Sequence, residues 1–226
     1  MSAGEALSNL QAYEQWAASY PPVPHNPLMR AEQAAMLRLW PSGAGARALD
    51  LACGSGRYAA LAAQRGASEV TAVDFSPAML ARVRDAARVR ASMMRLPFAD
   101  AVFDWVVCGL AVGHAPALAP WMREMARVLR AGGVLLYSDF HPAAAGAGMT
   151  RSFIDAQQRR HVLRHRRYAL AAHHTTVAAA GLTVEATHEV KVGEGLSETF
   201  SGSAEFYRRW QGLPVVLVVR ARKAMP

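Results

Sequence analysis

Leu49-Asp50-Leu51-Ala52-Cys53-Gly54-Ser55-Gly56 carries the chain from a short apolar strand into a tight glycine-rich turn, and residues 57–65 continue it as a helix closed by Gly66. Glycines at such a turn let a ligand lie close to the backbone, because no Cβ stands in the way. Outward from this stretch, strand and helix alternate. Residues 69–74 read as a strand. Ser76-Pro77 reads as the cap and first turn of a helix running to about Ala87. Residues 89–93 form a short strand, 104–109 an apolar strand, 121–129 a helix stopped by Gly132-Gly133, and 134–139 another strand. This order predicts a parallel sheet with helices on both faces.

The flanks are less regular. Residues 5–20 and 28–40 have helical spacing, separated by the extended connector Pro21-Pro22-Val23-Pro24-His25-Asn26-Pro27. Residues 140–150 are small and rich in Gly and Ala, as in a loop, and 151–168 are basic with helical character. Residues 169–180 form a helix ended by Gly181, 182–192 a strand, 193–203 a polar loop, and 215–222 a buried strand. The last two strands are expected to pair antiparallel at one end of the sheet. The domain reading is an N-terminal helical cap over 1–40 and one larger domain over 41–226, with a cap-like insertion at about 140–168.

The chain has 226 residues, enough for one sizeable α/β domain. Its net charge is +8, and only Lys191 and Lys223 are lysines, so arginine supplies the rest of the basic residues. The densest basic cluster is Arg159, Arg160, Arg164, Arg166 and Arg167, with His161 and His165 among them. Such charge admits an acidic partner. Against a nucleic-acid binder stands the lack of an arginine stripe with interleaved stacking aromatics. Two cysteines, Cys53 and Cys108, make neither a disulfide framework nor a zinc pattern, and no metal site is expected. Residues 1–20 lack a basic start followed by an apolar run, and no apolar stretch reaches the ~20 residues of a membrane span. The expectation is a cytoplasmic protein away from membranes.

Asp50 stands just before the glycine turn, and Asp74 stands twenty positions after Gly54 at the end of the next strand. An acid at Asp74 can accept hydrogen bonds from both hydroxyls of a ribose. An acid at Asp50 would repel a pyrophosphate but could hold an amino group. That favours S-adenosylmethionine (SAM) over a dinucleotide. Here the sequence resembles the class I SAM-dependent methyltransferases. The resemblance rests on Ala48 through Gly56, Val73-Asp74-Phe75-Ser76-Pro77-Ala78-Met79-Leu80, Leu96-Pro97-Phe98-Ala99-Asp100, Phe103-Asp104-Trp105-Val106-Val107 and Ala126-Arg127-Val128-Leu129-Arg130-Ala131-Gly132-Gly133. It implies a Rossmann-like, seven-stranded, mostly parallel sheet. It further implies that the methionine part of SAM crosses Gly54 and Gly56, that Asp50 sits near its amino group, that Asp74 holds the ribose and that Phe75 packs on the adenine. Ser92 stands where the family often has an aspartate, with Met93 offering its backbone amide. Cys108 and Gly109 would border the methionine end, and Cys53 is a further cofactor-binding candidate in the turn. The two cysteines are either a redox-sensitive pair or two small buried residues.

The methyl acceptor is expected beyond the carboxyl ends of the strands. His141, sharing a face with Asp139 if the strand continues, is a candidate general base; otherwise Pro142 ends the strand and His141 caps the loop. His114 is a second candidate base, or a loop-shaping residue. Tyr13, Tyr20 and Arg30 are lid candidates, and one of His173 and His174 can face the site. The leading expectation is a SAM-dependent methyltransferase acting on a small molecule, in specialised metabolism. The alternatives are an acyl group on an acidic carrier protein docked on the arginine cluster, an RNA methyltransferase or nucleic-acid binder, and a non-enzymatic SAM sensor.

Overall fold

The computed structural model describes residues 7–155, 158–193 and 204–225. Two helices precede the sheet. In α1 (Asn9–Trp16), Ser8 and Gln11 cap each other reciprocally. In α2 (Pro27–Arg38), Asn26 accepts the Met29 N–H at 2.9 Å and Pro27 takes the first turn.

The alternating core follows: β1 (Ala46–Leu51), α3 (Arg57–Gln64), β2 (Ala67–Asp74), α4 (Pro77–Leu80), β3 (Ala87–Arg90), β4 (Phe103–Cys108), α5 (Leu118–Val128) and β5 (Leu129–Phe140). After it come α6 (Pro142–Gly146), β6 (Ser152–Ile154), β7 (Arg160–Val162), α7 (Leu170–Ala179), β8 (Leu182–Lys191), α8 (Ala204–Trp210) and β9 (Pro214–Lys223). The sheet order is β3-β2-β1-β4-β5-β9-β8. The first five strands are parallel, and β9 runs antiparallel to both β5 and β8. This is the expected seven-stranded, mostly parallel sheet with its antiparallel pair at one end.

Strand side chains alternate between two cores. On β4, Val106 and Cys108 join α5 and α7 on one face, while Trp105 and Val107 join α2 and α3 on the other; Phe103, across a register irregularity from Trp105, joins the first. β1, β5 and β9 divide in the same way. Burial on both faces explains why these strands read as nearly continuous apolar runs.

Three expectations are corrected. The helix beginning at Ser76-Pro77 stops at Leu80 rather than near Ala87. Val83 turns in to pack on Gly56, Arg82 donates to the Tyr20 carbonyl, and Asp85 takes φ +57°, which no helix continues through. The basic stretch 151–168 is not helical. It holds the antiparallel β6–β7 pair, with Phe153 buried and its neighbour Ile154 exposed in a two-residue period, and an irregular segment after it. Phe153 stacks on Trp16 of α1 at 4.6 Å, a tertiary contact that outweighs local propensity. Residues 140–150, expected as a loop, contain the short α6. Most of the expected loop 193–203 lies outside the described residues, and α8 beyond it was not anticipated.

The sheet and the N-terminal helices are locked by Glu32 of α2, which is wholly buried. Its carboxylate accepts from Tyr58 Oη at 2.6 Å, Ser138 Oγ at 2.6 Å and Arg57 Nη2 at 2.8 Å. Removing one member of a buried ion pair strands the other charge, at about 3–5 kcal/mol. Glu32→Ala should therefore lower unfolding free energy by about that amount in a denaturant titration. The double replacement Glu32→Met with Arg57→Met should recover most of it. A loss under about 1 kcal/mol for Glu32→Ala would mean the network is solvated.

Candidate functional site

Strands β1 to β5 all point their carboxyl ends to one side, and a cavity of about 890 Å³ opens there. Its wall is formed by the residues at and just past those ends: Asp50–Ser55 after β1, Asp74–Ser76 after β2, Ala91–Met94 after β3, Gly109–Ala111 after β4 and Phe140 at the end of β5. α1, the connector and the start of the β6 hairpin close it from above, through Tyr13, Trp16, Tyr20 and Arg151.

The glycine turn builds one half. Gly54 donates its N–H to Asp74 Oδ2 at 2.8 Å, and Ser76 donates to Oδ1 at 2.8 Å. Both Asp74 oxygens thus take backbone donors, the Phe75 N–H adding to these two, and acceptor capacity remains. Burial raises the Asp74 pKa, and those backbone N–H groups oppose the rise. Asp50 Oδ2 accepts from Ala59 N at 2.7 Å, and burial pushes its pKa up to about 7. Phe75 is 52% exposed on the cavity wall, with the Arg90 guanidinium over its ring. The Ser92 hydroxyl accepts from Met94 N at 3.2 Å, and both Ser92 and Met93 line the wall. Gly56 does not line the cavity. It holds φ +84° at the start of α3, and a Cβ there would meet Val83 at 3.1 Å. Gly109 does line it, and a Cβ there would drive into the Tyr58 ring at 2.2 Å.

Cys53 lines the cavity, whereas Cys108 is fully buried in the core and does not border it. Both are free thiols, and burial pushes both pKa values up. Neither is primed as a thiolate, which counts against a redox-sensitive pair.

The expected His141–Asp139 pair does not form. β5 ends at Phe140, so strand alternation no longer aligns the two residues. His141 caps α6 by accepting from Ala143 N at 3.1 Å, and its other nitrogen meets Glu189 at 2.8 Å. Asp139 is buried beside His165 at 3.0 Å and His173 at 3.7 Å. Neither Asp139 nor His141 lines the cavity. His173 is buried against the Tyr137 hydroxyl at 3.1 Å, and Arg30 lies by a separate shallow groove between α2 and β8.

Tyr13, Tyr20 and His114 do line the cavity. The Tyr13 hydroxyl meets His114 Nε2 at 3.0 Å. His114 Nδ1 lies 2.8 Å from Asn9 Nδ2 and 3.0 Å from the Arg164 carbonyl, so both ring nitrogens are engaged. Burial, then Arg151 and His165, push the His114 pKa down to about 3. Burial raises Tyr13 and takes Tyr20 up to about 12. The sequence reading missed Glu14, whose carboxylate takes the Ser76 hydroxyl, and also Glu32, Arg57 and Arg151. Arg151 Nη1 donates to the Leu110 carbonyl at 2.5 Å, and Leu110 itself sits at φ +54°. Among the described residues, no group of three or more His, Cys, Asp or Glu is placed to hold a metal ion, and no helix is long and apolar enough to cross a membrane. A histidine NMR titration should find one ring, absent from His114→Gln, that stays neutral down to about pH 4. A midpoint near the ordinary ~6.5 would contradict the buried, neutral assignment.

Residues 49–137 match the family model described as a methyltransferase domain. The chain is 39% identical over 118 residues to a malonyl-[acyl-carrier protein] O-methyltransferase of Enterobacter lignolyticus, covering 50% of this chain and 47% of that protein. It is 37% identical over 101 residues to a demethylmenaquinone methyltransferase of Staphylococcus aureus, covering 41% and 42%. The chain thus spans about half the length of the curated relatives it matches. A SAM-dependent methyltransferase structure from Mesorhizobium loti superposes with a TM-score of 0.69 at 26% identity, over 85% of this chain and 98% of that one. By sequence match and by fold, residues 49–137 are a methyltransferase domain of the class I SAM-dependent type.

Proposed function

We propose that this protein transfers the methyl group of SAM to a small-molecule acceptor bound under α1. The observation that carries the reading is one cavity whose wall combines the acids of the glycine turn with apolar and aromatic side chains, Tyr13, Trp16 and Tyr20 among them. The donor set suits the cofactor. Among the described residues, the acids on the cavity wall are Asp50 and Asp74, a pairing that favours an amino group and ribose hydroxyls over a pyrophosphate. Arg57 also reaches this wall, but Glu32 neutralises it.

On this reading Asp74 holds the ribose hydroxyls with the acceptor capacity its backbone bonds leave open. Asp50 faces the amino group, Gly54 leaves room for the chain between them, and Phe75, Ser92 and Met93 bound the adenine. SAM supplies an electrophilic methyl on a sulfonium. The residues around it exclude water and hold the acceptor in line, and positioning of this kind can supply up to ~7–11 kcal/mol.

A second reading has support of its own. The β6–β7 hairpin places Arg160 on the cavity wall, with Arg166, Arg167, Ile154 and Val162 exposed nearby in the sequence. A mixed basic and apolar surface beside the cavity suits an acidic carrier delivering an acyl group, and the Enterobacter relative is named for such a carrier. Methyl transfer that falls steeply with salt for a carrier-bound acceptor, and not for the free one, would favour it.

Asp50 yields a test with a definite sign. Its pKa is raised to about 7 in the folded protein, so it is largely neutral below that pH and ionised above it. A ligand amine selects the ionised form. Affinity for S-adenosylhomocysteine should therefore be about tenfold weaker at pH 6 than at pH 8, and Asp50→Asn should flatten the difference. Asp74→Ala should weaken binding at both pH values. Equal affinities at pH 6 and 8 in the unmodified protein would remove Asp50 from the amino-group role.

A further inference from the structure

Charge on the cavity wall is segregated. Asp50 and Asp74 stand at the glycine turn, whereas Arg151 and Arg160 stand on the hairpin side. Arg160 donates to the hydroxyls of Ser152 at 3.0 Å and Thr150 at 3.3 Å. Arg151 gives Nη1 to the Leu110 carbonyl and lies against the Tyr13 phenol. Among the described residues, neither guanidinium has an acidic partner. The cavity wall that carries them also carries apolar side chains, including Leu10, Leu28, Met149 and Leu163. An uncompensated guanidinium on an apolar wall fits an anion, and its planar fork matches a carboxylate.

Among the described residues, the acids on the cavity wall are Asp50 and Asp74, both at the glycine turn, and the hairpin side of the cavity offers no free proton acceptor. The imidazole there, His114, has one nitrogen against Tyr13 and the other against Asn9 and the Arg164 carbonyl. Burial keeps the ring neutral and the phenol protonated. An acceptor bound here must bring its nucleophilic electron pair already free of a proton.

From these two observations, and resting on the methyltransferase reading above, we propose that the methyl acceptor is a carboxylate on an apolar chain, held by Arg151 and converted to its methyl ester. In the step, a carboxylate oxygen forms a bond to the methyl carbon while the carbon–sulfur bond breaks and its electron pair stays on sulfur. The negative charge of the acid and the positive charge of the sulfonium vanish together, and no proton moves. That balance explains how the site works without a general base. The acid can be free or joined at its far end to a carrier, since the chemistry at Arg151 is the same.

The test is a calorimetric titration with octanoate, against 1-octanol as the neutral control, run with and without saturating S-adenosylhomocysteine. Octanoate should bind, and 1-octanol at least about tenfold more weakly, as expected when a charged hydrogen bond is lost. Arg151→Gln should weaken octanoate by about tenfold or more while leaving S-adenosylhomocysteine affinity unchanged, and Arg151→Lys should restore part of it. Equal binding of 1-octanol and octanoate, or an Arg151→Gln loss under about twofold, overturns the carboxylate assignment. Failure of S-adenosylhomocysteine to bind would instead strike the methyltransferase reading, and octanoate titrated alone still decides the role of Arg151.

Discussion

A carboxylate cut off from water must find its donors inside the protein, and Glu32 finds them on elements that bound the cavity. Arg57 and Tyr58 open α3 directly after the glycine turn, and Ser138 lies on β5. Ser138 also accepts the Leu110 N–H at 2.8 Å, and the Leu110 carbonyl in turn accepts from Arg151. One connected set of hydrogen bonds therefore runs from α2, through the sheet, to the hairpin side of the cavity. It keeps Leu110 in its left-handed conformation, which costs a non-glycine residue ~1–2 kcal/mol. The fold uses a buried charge to hold the two halves of the site at a set distance from each other.

The two halves then follow different rules. At the glycine turn the work is done by backbone. Gly54 and Ser76 hand their N–H groups to Asp74, and Ala59 hands its own to Asp50. These bonds orient both carboxylates and resist the cost of burying them. On the hairpin side the work is done by side chains from distant parts of the chain. Tyr13 and Asn9 come from α1, His114 from the turn after β4, and Arg151 from the segment before β6. The cavity wall therefore carries Asp50 and Asp74 at the glycine turn and Arg151 and Arg160 on the hairpin side.

What the sequence discloses tracks how local each signal is. Asp50, Gly54, Asp74 and Ser76-Pro77 are legible because a strand end, a turn and a helix cap are built from neighbours in the chain. β1, β4, β5 and β9 are legible because burial on both faces makes each a nearly apolar run, whereas β3 and β8 at the sheet edges are bounded by the turns and helices beside them. His141 misleads because its role depends on where β5 stops, and Pro142 stops it one residue too soon for alternation to apply. The stretch 151–168 misleads because its composition is helical while its conformation is decided by Phe153 stacking on Trp16. Glu32, Arg57 and Arg151 carry no local signal. Glu32 meets Ser138 across 106 positions, and Arg151 meets Leu110 across 41. Only the folded chain reveals such pairs.

The central claim is that this cavity takes S-adenosylmethionine at its acidic half. It is tested most directly by calorimetric titration of the protein with S-adenosylhomocysteine at pH 8, with NAD as the control. The account predicts micromolar binding of S-adenosylhomocysteine and no heat from NAD, because Asp50 and Asp74 favour an amine and a ribose and repel a pyrophosphate. Binding of NAD without S-adenosylhomocysteine would contradict it and assign the glycine turn to a dinucleotide.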